Sequence, residues 1–111
     1  MPELFDVVEL TVDIPEHGLC AGMQGTIVHC HSGSYEAEFS NGAGETLDFL
    51  SLVPEQFIVV WRARTKSWVP LRERIAVLMD RLPEEAEREI LDLAYILHAR
   101  KHQSLTRRDA V

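Results

Sequence analysis

Glycine- and proline-bearing turns cut the first sixty residues into short apolar segments, a spacing that suits strands and leaves little room for helices. Phe5 to Val12 is rich in β-branched and apolar residues and predicts a first strand. Ile14-Pro15-Glu16-His17-Gly18 breaks that pattern, and Gly22-Met23-Gln24-Gly25 has the punctuation of a tight turn. Gln24 to His31 predicts a second strand, with Thr26, Val28 and Cys30 on one face and Ile27, His29 and His31 on the other. After Ser32-Gly33-Ser34, Tyr35, Ala37 and Phe39 alternate with Glu36 and Glu38, which predicts a half-buried strand with an acidic outer face. Asn41-Gly42-Ala43-Gly44 predicts a hairpin turn, because Asn-Gly tolerates positive φ. Glu45 to Leu52 then predicts a fourth strand, Pro54-Glu55-Gln56 a single helical turn, and Phe57 to Trp61 a fifth strand. Five short antiparallel strands predict a small barrel, which also removes most exposed sheet edges.

The texture changes beyond Trp61. Residues 62–70 are basic and short of apolar side chains, and predict either a strand extension or a linker. Trp68-Val69-Pro70 is the expected junction. From Leu71 the apolar period becomes helical, with Ile75, Leu78, Met79 and Leu82 at spacings of three and four. Pro83 interrupts, and Glu84 and Glu85 suit the first turn of a second helix, where acids complement the helix dipole. That helix carries Ala86, Ile90, Leu93, Ala94 and Leu97 on one stripe, and Arg100, Lys101 and His102 in its last turn. A helical hairpin over 71–103 is expected, followed by a frayed polar tail over 104–111. Two such short helices bury little area alone, so Ile90, Leu93 and Leu97, with Trp68, are a candidate dimer or docking face.

Charge separates the same two parts. Met1 to Val60 holds ten carboxylates and no lysine or arginine; the remainder holds eleven bases and eight acids, giving −10 and +3 within a total of −7. A module at −10 repels phosphate backbones, which argues against nucleic acid as its partner. No secretory signal or membrane-spanning apolar stretch is visible, so a cytoplasmic protein is expected, with Cys20 and Cys30 as reduced, buried thiols.

Several strings of residues resemble a known bacterial family. Phe5-Asp6-Val7-Val8-Glu9-Leu10, Ile14-Pro15-Glu16-His17-Gly18-Leu19, Ala21-Gly22-Met23-Gln24-Gly25-Thr26-Ile27-Val28, Tyr35-Glu36-Ala37-Glu38-Phe39 and Glu45-Thr46-Leu47 are similar to domain of unknown function 4926. The resemblance covers about residues 4–60 and implies a small SH3-like barrel, distantly similar to KOW and Tudor modules. It carries no activity and no catalytic residue. Leu82-Pro83-Glu84-Glu85, Arg88-Glu89-Ile90-Leu91-Asp92 and Ile96-Leu97 resemble the helical segments of domain of unknown function 2281, which occur in small antitoxin-like proteins. The basic N-terminal DNA-binding element of such antitoxins is absent from this sequence. The expected fold is thus α+β: an antiparallel SH3-like β-barrel over 1–61 followed by a C-terminal α-helical hairpin.

Four constellations carry the candidate chemistry. Glu36 and Glu38 share one strand face, and Glu9 and Asp48 are expected to join them across the sheet as a platform for a basic partner. Arg62, Arg64 and Lys66, between Trp61 and Trp68, share one face if the segment is extended, and form the alternative nucleic-acid contact. The competing reading of these cations is a match to the chain's own acids. His29 and His31 are weak metal candidates, since four ligands are usual for structural zinc and no Cys-x-x-Cys spacing is present. Ser32, Ser34 and Ser51 lie outside any nucleophile elbow, and no phosphate-binding loop precedes a helix. The expected function is a non-catalytic protein–protein interaction module without cofactor. It is antitoxin-like in its sharpest form, with a basic protein (such as a toxin) as partner and a homo-oligomer as its assembly. A KOW-like nucleic-acid binder and a small metal-binding protein are the alternatives.

Overall fold

The computed structural model describes residues 1–41 and 43–109, with side chains through Gln103. Six strands follow in chain order: β1 (Val7–Leu10), β2 (Gln24–Cys30), β3 (Tyr35–Ser40), β4 (Thr46–Leu52), β5 (Phe57–Arg62) and β6 (Ser67–Trp68). Two helices complete the chain, α1 (Leu71–Asp80) and α2 (Glu84–Asp109), and single 3-10 turns span Pro15–His17 and Pro54–Gln56. The chain divides into two compact units, residues 1–78 and 79–111.

The strands form one antiparallel sheet in the order β4-β3-β2-β1-β5-β6. The α+β expectation therefore holds, but the barrel does not close: β4 and β6 remain the two edges. The short β6 hairpin occupies the outer side of β5, where a closing strand would have to pair. The sheet is nonetheless strongly coiled. β3 and β5 are three strand spacings apart, about 14 Å on a flat sheet. Yet the rings of Tyr35 and Phe57 meet edge-on at 5.7 Å.

That curvature encloses the core. Val8 and Leu10 of β1, Ile27 of β2, Tyr35, Ala37 and Phe39 of β3, and Leu50 and Leu52 of β4 alternate inward. Phe57 joins them, and Ile14 and Leu19, bridged across the first 3-10 turn, cover one end. Gly25 sits where a Cβ would lie 2.8 Å from the Phe39 ring, so the absence of a side chain lets that ring pass under β2.

Bulges set what the outer face carries. Pairing of β2 with β3 runs Ile27↔Ala37 and then His29↔Glu36, leaving Val28 as an extra residue. Simple alternation would place His29 and His31 on the buried face of Ile27; the bulge instead turns them outward beside Glu36. A second slip, at Leu47, pairs Phe39 with Asp48 and Ser40 with Thr46. In the β3–β4 loop, the Asn41 carboxamide oxygen accepts from the N–H groups of Ala43 and Glu45, at 2.9 and 3.0 Å. Gly42, within that expected turn, lies outside the described residues.

Pro70 opens α1, its carbonyl accepting from Glu73 and Arg74. Pro83 plays the same part for α2, accepting from Ala86 and Glu87. α2 runs on to Asp109, past the Ser104 at which the sequence predicts fraying. Ala110 and Val111, the end of that expected tail, lie outside the described residues. No helix among the described residues is long and apolar enough to cross a membrane.

Candidate partner-binding face

Three of the four expected platform carboxylates share the outer face of the sheet. Glu9 stands opposite Gln24, Glu38 opposite Thr26, and Glu36 opposite His29. Their neighbours are hydrogen-bonding groups. Gln24 Nε2 donates to Glu9 Oε2 at 3.2 Å, and Thr46 Oγ1 donates to Glu38 Oε1 at 2.8 Å. His31 Nε2 lies 3.9 Å from Glu36 Oε2. A shallow concavity lined by Val7, Gln24, Thr26, Glu38 and Ser40 runs across the middle of this face.

Asp48 does not join them. Unbroken pairing from Tyr35↔Leu52 to Phe39↔Asp48 sets it in step with Leu50 and Leu52, on the side of the sheet that faces the core, and at the rim it hydrogen-bonds the His17 ring. Its carboxylate ties the first 3-10 turn to β4. Phe49 and Leu47, half exposed, lie beside the acidic face on the edge strand instead.

The basic stretch is split by its turn. Arg62 ends β5, while Arg64 and Lys66 lie in the β5–β6 turn, with Lys66 in the left-handed region at φ 51°. The three cations therefore do not share a strand face. Arg64 reaches Glu3 at 3.9 Å, and Arg62 and Arg64 line a hollow with Glu3 and Asp6. Trp68 of β6 pairs with Trp61 of β5 and remains 60% exposed, with the Arg74 guanidinium 6.0 Å from its ring centre. Arg74 also donates to the carbonyls of Val69 and Val60, at 2.9 and 3.2 Å. Those bonds fasten the start of α1 to β5.

His29 and His31 bring their rings within 4.3 Å of each other. Among the described residues, no group of three or more His, Cys, Asp or Glu side chains is placed to hold a metal ion. Cys20 and Cys30 are both exposed, not buried. Cys30 shares the Tyr35 side of the sheet but sits at the end of β2, beyond the cover of the core.

Among the described residues Asp6 is the buried polar side chain, in phase with the inward Val8 and Leu10. It is 1% exposed, and its carboxylate accepts from the N–H groups of Glu3 and Ala63, each at 2.9 Å. It joins residue 3 to the β5–β6 turn, and the neighbouring Phe5 lies in the left-handed region, at φ 71°. The available signal is an acid set between Leu4-Phe5 and Val7-Val8, in a strand that otherwise begins apolar.

On the helices, Ile90 is half-buried while Leu93 and Leu97 are exposed, all on α2. Leu91, Tyr95 and Ile96 are exposed as well, so the middle of α2 is apolar well beyond the predicted stripe. α1 buries none of its residues.

No curated protein and no solved structure matches the chain. Residues 4–59, which run from the Asp6 turn into the first half of β5, match the family described as Domain of unknown function (DUF4926). That match covers half of the chain, and the chain belongs to this family.

Proposed function

We propose that this chain is a non-catalytic protein–protein interaction module. The outer face of its sheet takes a basic partner, and its helices supply a further contact for docking or dimerisation. The observation that carries this reading is the display of Glu9, Glu36 and Glu38 on one face of a segment that has no lysine or arginine before Val60. Such a face attracts and orients a cationic surface, accelerating encounter more than it adds affinity. An antitoxin-like role is the finer form of the proposal. It is supported by the acidic surface and by the resemblance of the tail to antitoxin helices.

The test is capture of partners from native-host lysate on the tagged full chain, with nuclease present, beside the Glu36→Lys/Glu38→Lys variant. A stoichiometric basic protein held by the wild type and lost from a folded variant is the expected result. Capture of nucleic acid alone, or identical capture by the variant, sinks the acidic-face reading.

A further inference from the structure

The charge layout of α2 is self-complementary. Its first turns hold Glu84, Glu85, Glu87, Glu89 and Asp92 against Arg88 alone, and its later turns hold Arg100 and Lys101 without an acid through Gln103. At about 100° per residue, Ala86, Ile90, Leu93 and Leu97 fall within an arc of about 60°. Glu87 and Lys101 lie along one flank of that stripe, and Glu89 and Arg100 along the other. Each flank is thus acidic at its start and basic at its end. All four charged residues are exposed, and Leu93 and Leu97 between them are 54% and 48% exposed.

We infer that a second copy of this chain covers the stripe, with the two α2 helices antiparallel about a two-fold axis near Ala94. An isologous pairing needs a surface complementary to its own rotated image. Antiparallel alignment brings Glu87 toward Lys101 of the second copy and Glu89 toward its Arg100, and the symmetry repeats both pairs. Leu93 and Leu97 then interleave with their counterparts along the seam. Parallel alignment sets acid on acid and base on base, so flanking charge selects the direction as it does in coiled coils. The inference rests on reading the helices as a contact element and is independent of the acidic sheet face.

Sedimentation equilibrium of the full chain at tens of micromolar is expected to give twice the 12.6 kDa chain mass. Glu87→Lys with Glu89→Lys makes every flank position cationic, and Arg100→Glu with Lys101→Glu makes every one anionic. Each double variant is expected to raise the dimer dissociation constant by about tenfold or more. An equimolar mixture of the two is expected to restore the dimer, a rescue that misfolded variants cannot give. In a Cys20→Ser/Cys30→Ser background, Glu87→Cys with Lys101→Cys is expected to form a disulfide-linked dimer on oxidation. A monomeric wild type, a dimer indifferent to both reversals, failure of the mixture, or equally ready cross-linking by Glu87→Cys alone each overturns the inference. A monomer that still captures a basic partner through Glu36 and Glu38 removes the dimer and leaves the acidic-face reading standing.

Discussion

Replacing Asp6 with alanine removes the acceptor for two backbone N–H groups at once. Hydrogen bonds to a charged group contribute about 1.5–3 kcal/mol each. Glu3 is exposed, so water replaces most of its bond. Ala63 is partly buried and keeps the larger share of the loss. Relief from holding a carboxylate at 1% exposure offsets part of the total. The net expectation is a loss of about 2–3 kcal/mol, or a melting point lower by about 10 °C or more for a unit of this size. Asp6→Asn retains one acceptor oxygen and is expected to lose about half as much. Urea unfolding followed by tryptophan fluorescence isolates the effect, because Trp61 and Trp68 both lie in the 1–78 unit. A midpoint for Asp6→Ala equivalent to less than about 0.5 kcal/mol of destabilisation, within the range of ordinary surface changes, would refute the reasoning.

Gly25→Ala is expected to cost about 1–3 kcal/mol in the same titration. The new methyl meets the fully buried Phe39 ring on one side and the Glu38 carbonyl, at 3.0 Å, on the other; an unchanged midpoint would show that the ring yields freely. Both cysteines are expected to react rapidly with a thiol reagent in the native protein, without denaturant, because both are exposed. Reaction only after unfolding would contradict that placement.

Where alternation governs, the sequence is a good guide. Tyr35, Ala37 and Phe39 turn inward and Glu36 and Glu38 outward as their period of two requires, and the Pro54–Gln56 turn lies where its proline places it. Expectation and structure part where the chain inserts a residue or relies on a distant partner. Neither Val28 nor Leu47 carries a glycine or any other local mark of a bulge, yet the first turns His29 and His31 outward and the second turns Thr46 outward to Glu38. Asp48 needs no bulge: it keeps the inward period of Leu50 and Leu52, which alternation along its own strand already marks. The β5–β6 turn puts Lys66 at positive φ without the glycine or asparagine that usually announces such a position, so local pattern in 62–66 leaves a strand extension and a linker equally open. Asp6 is stabilised by Ala63, far along the chain, and local pattern holds no trace of that bond. Nor does it set the limit of α2, because Leu105 to Arg108 are acceptable helix formers even though Ser104 resembles the start of a tail.

The extra residue at Val28 has a consequence for how this sheet tolerates change. A substitution on β2 alters one side chain and leaves its neighbours facing as before. A one-residue insertion or deletion between Ile27 and His29 turns everything beyond it to the opposite side. The imidazoles beside Glu36 therefore face outward through residue count as much as through residue identity. Length, which hairpin ends usually absorb without penalty, is in this strand a determinant of surface chemistry.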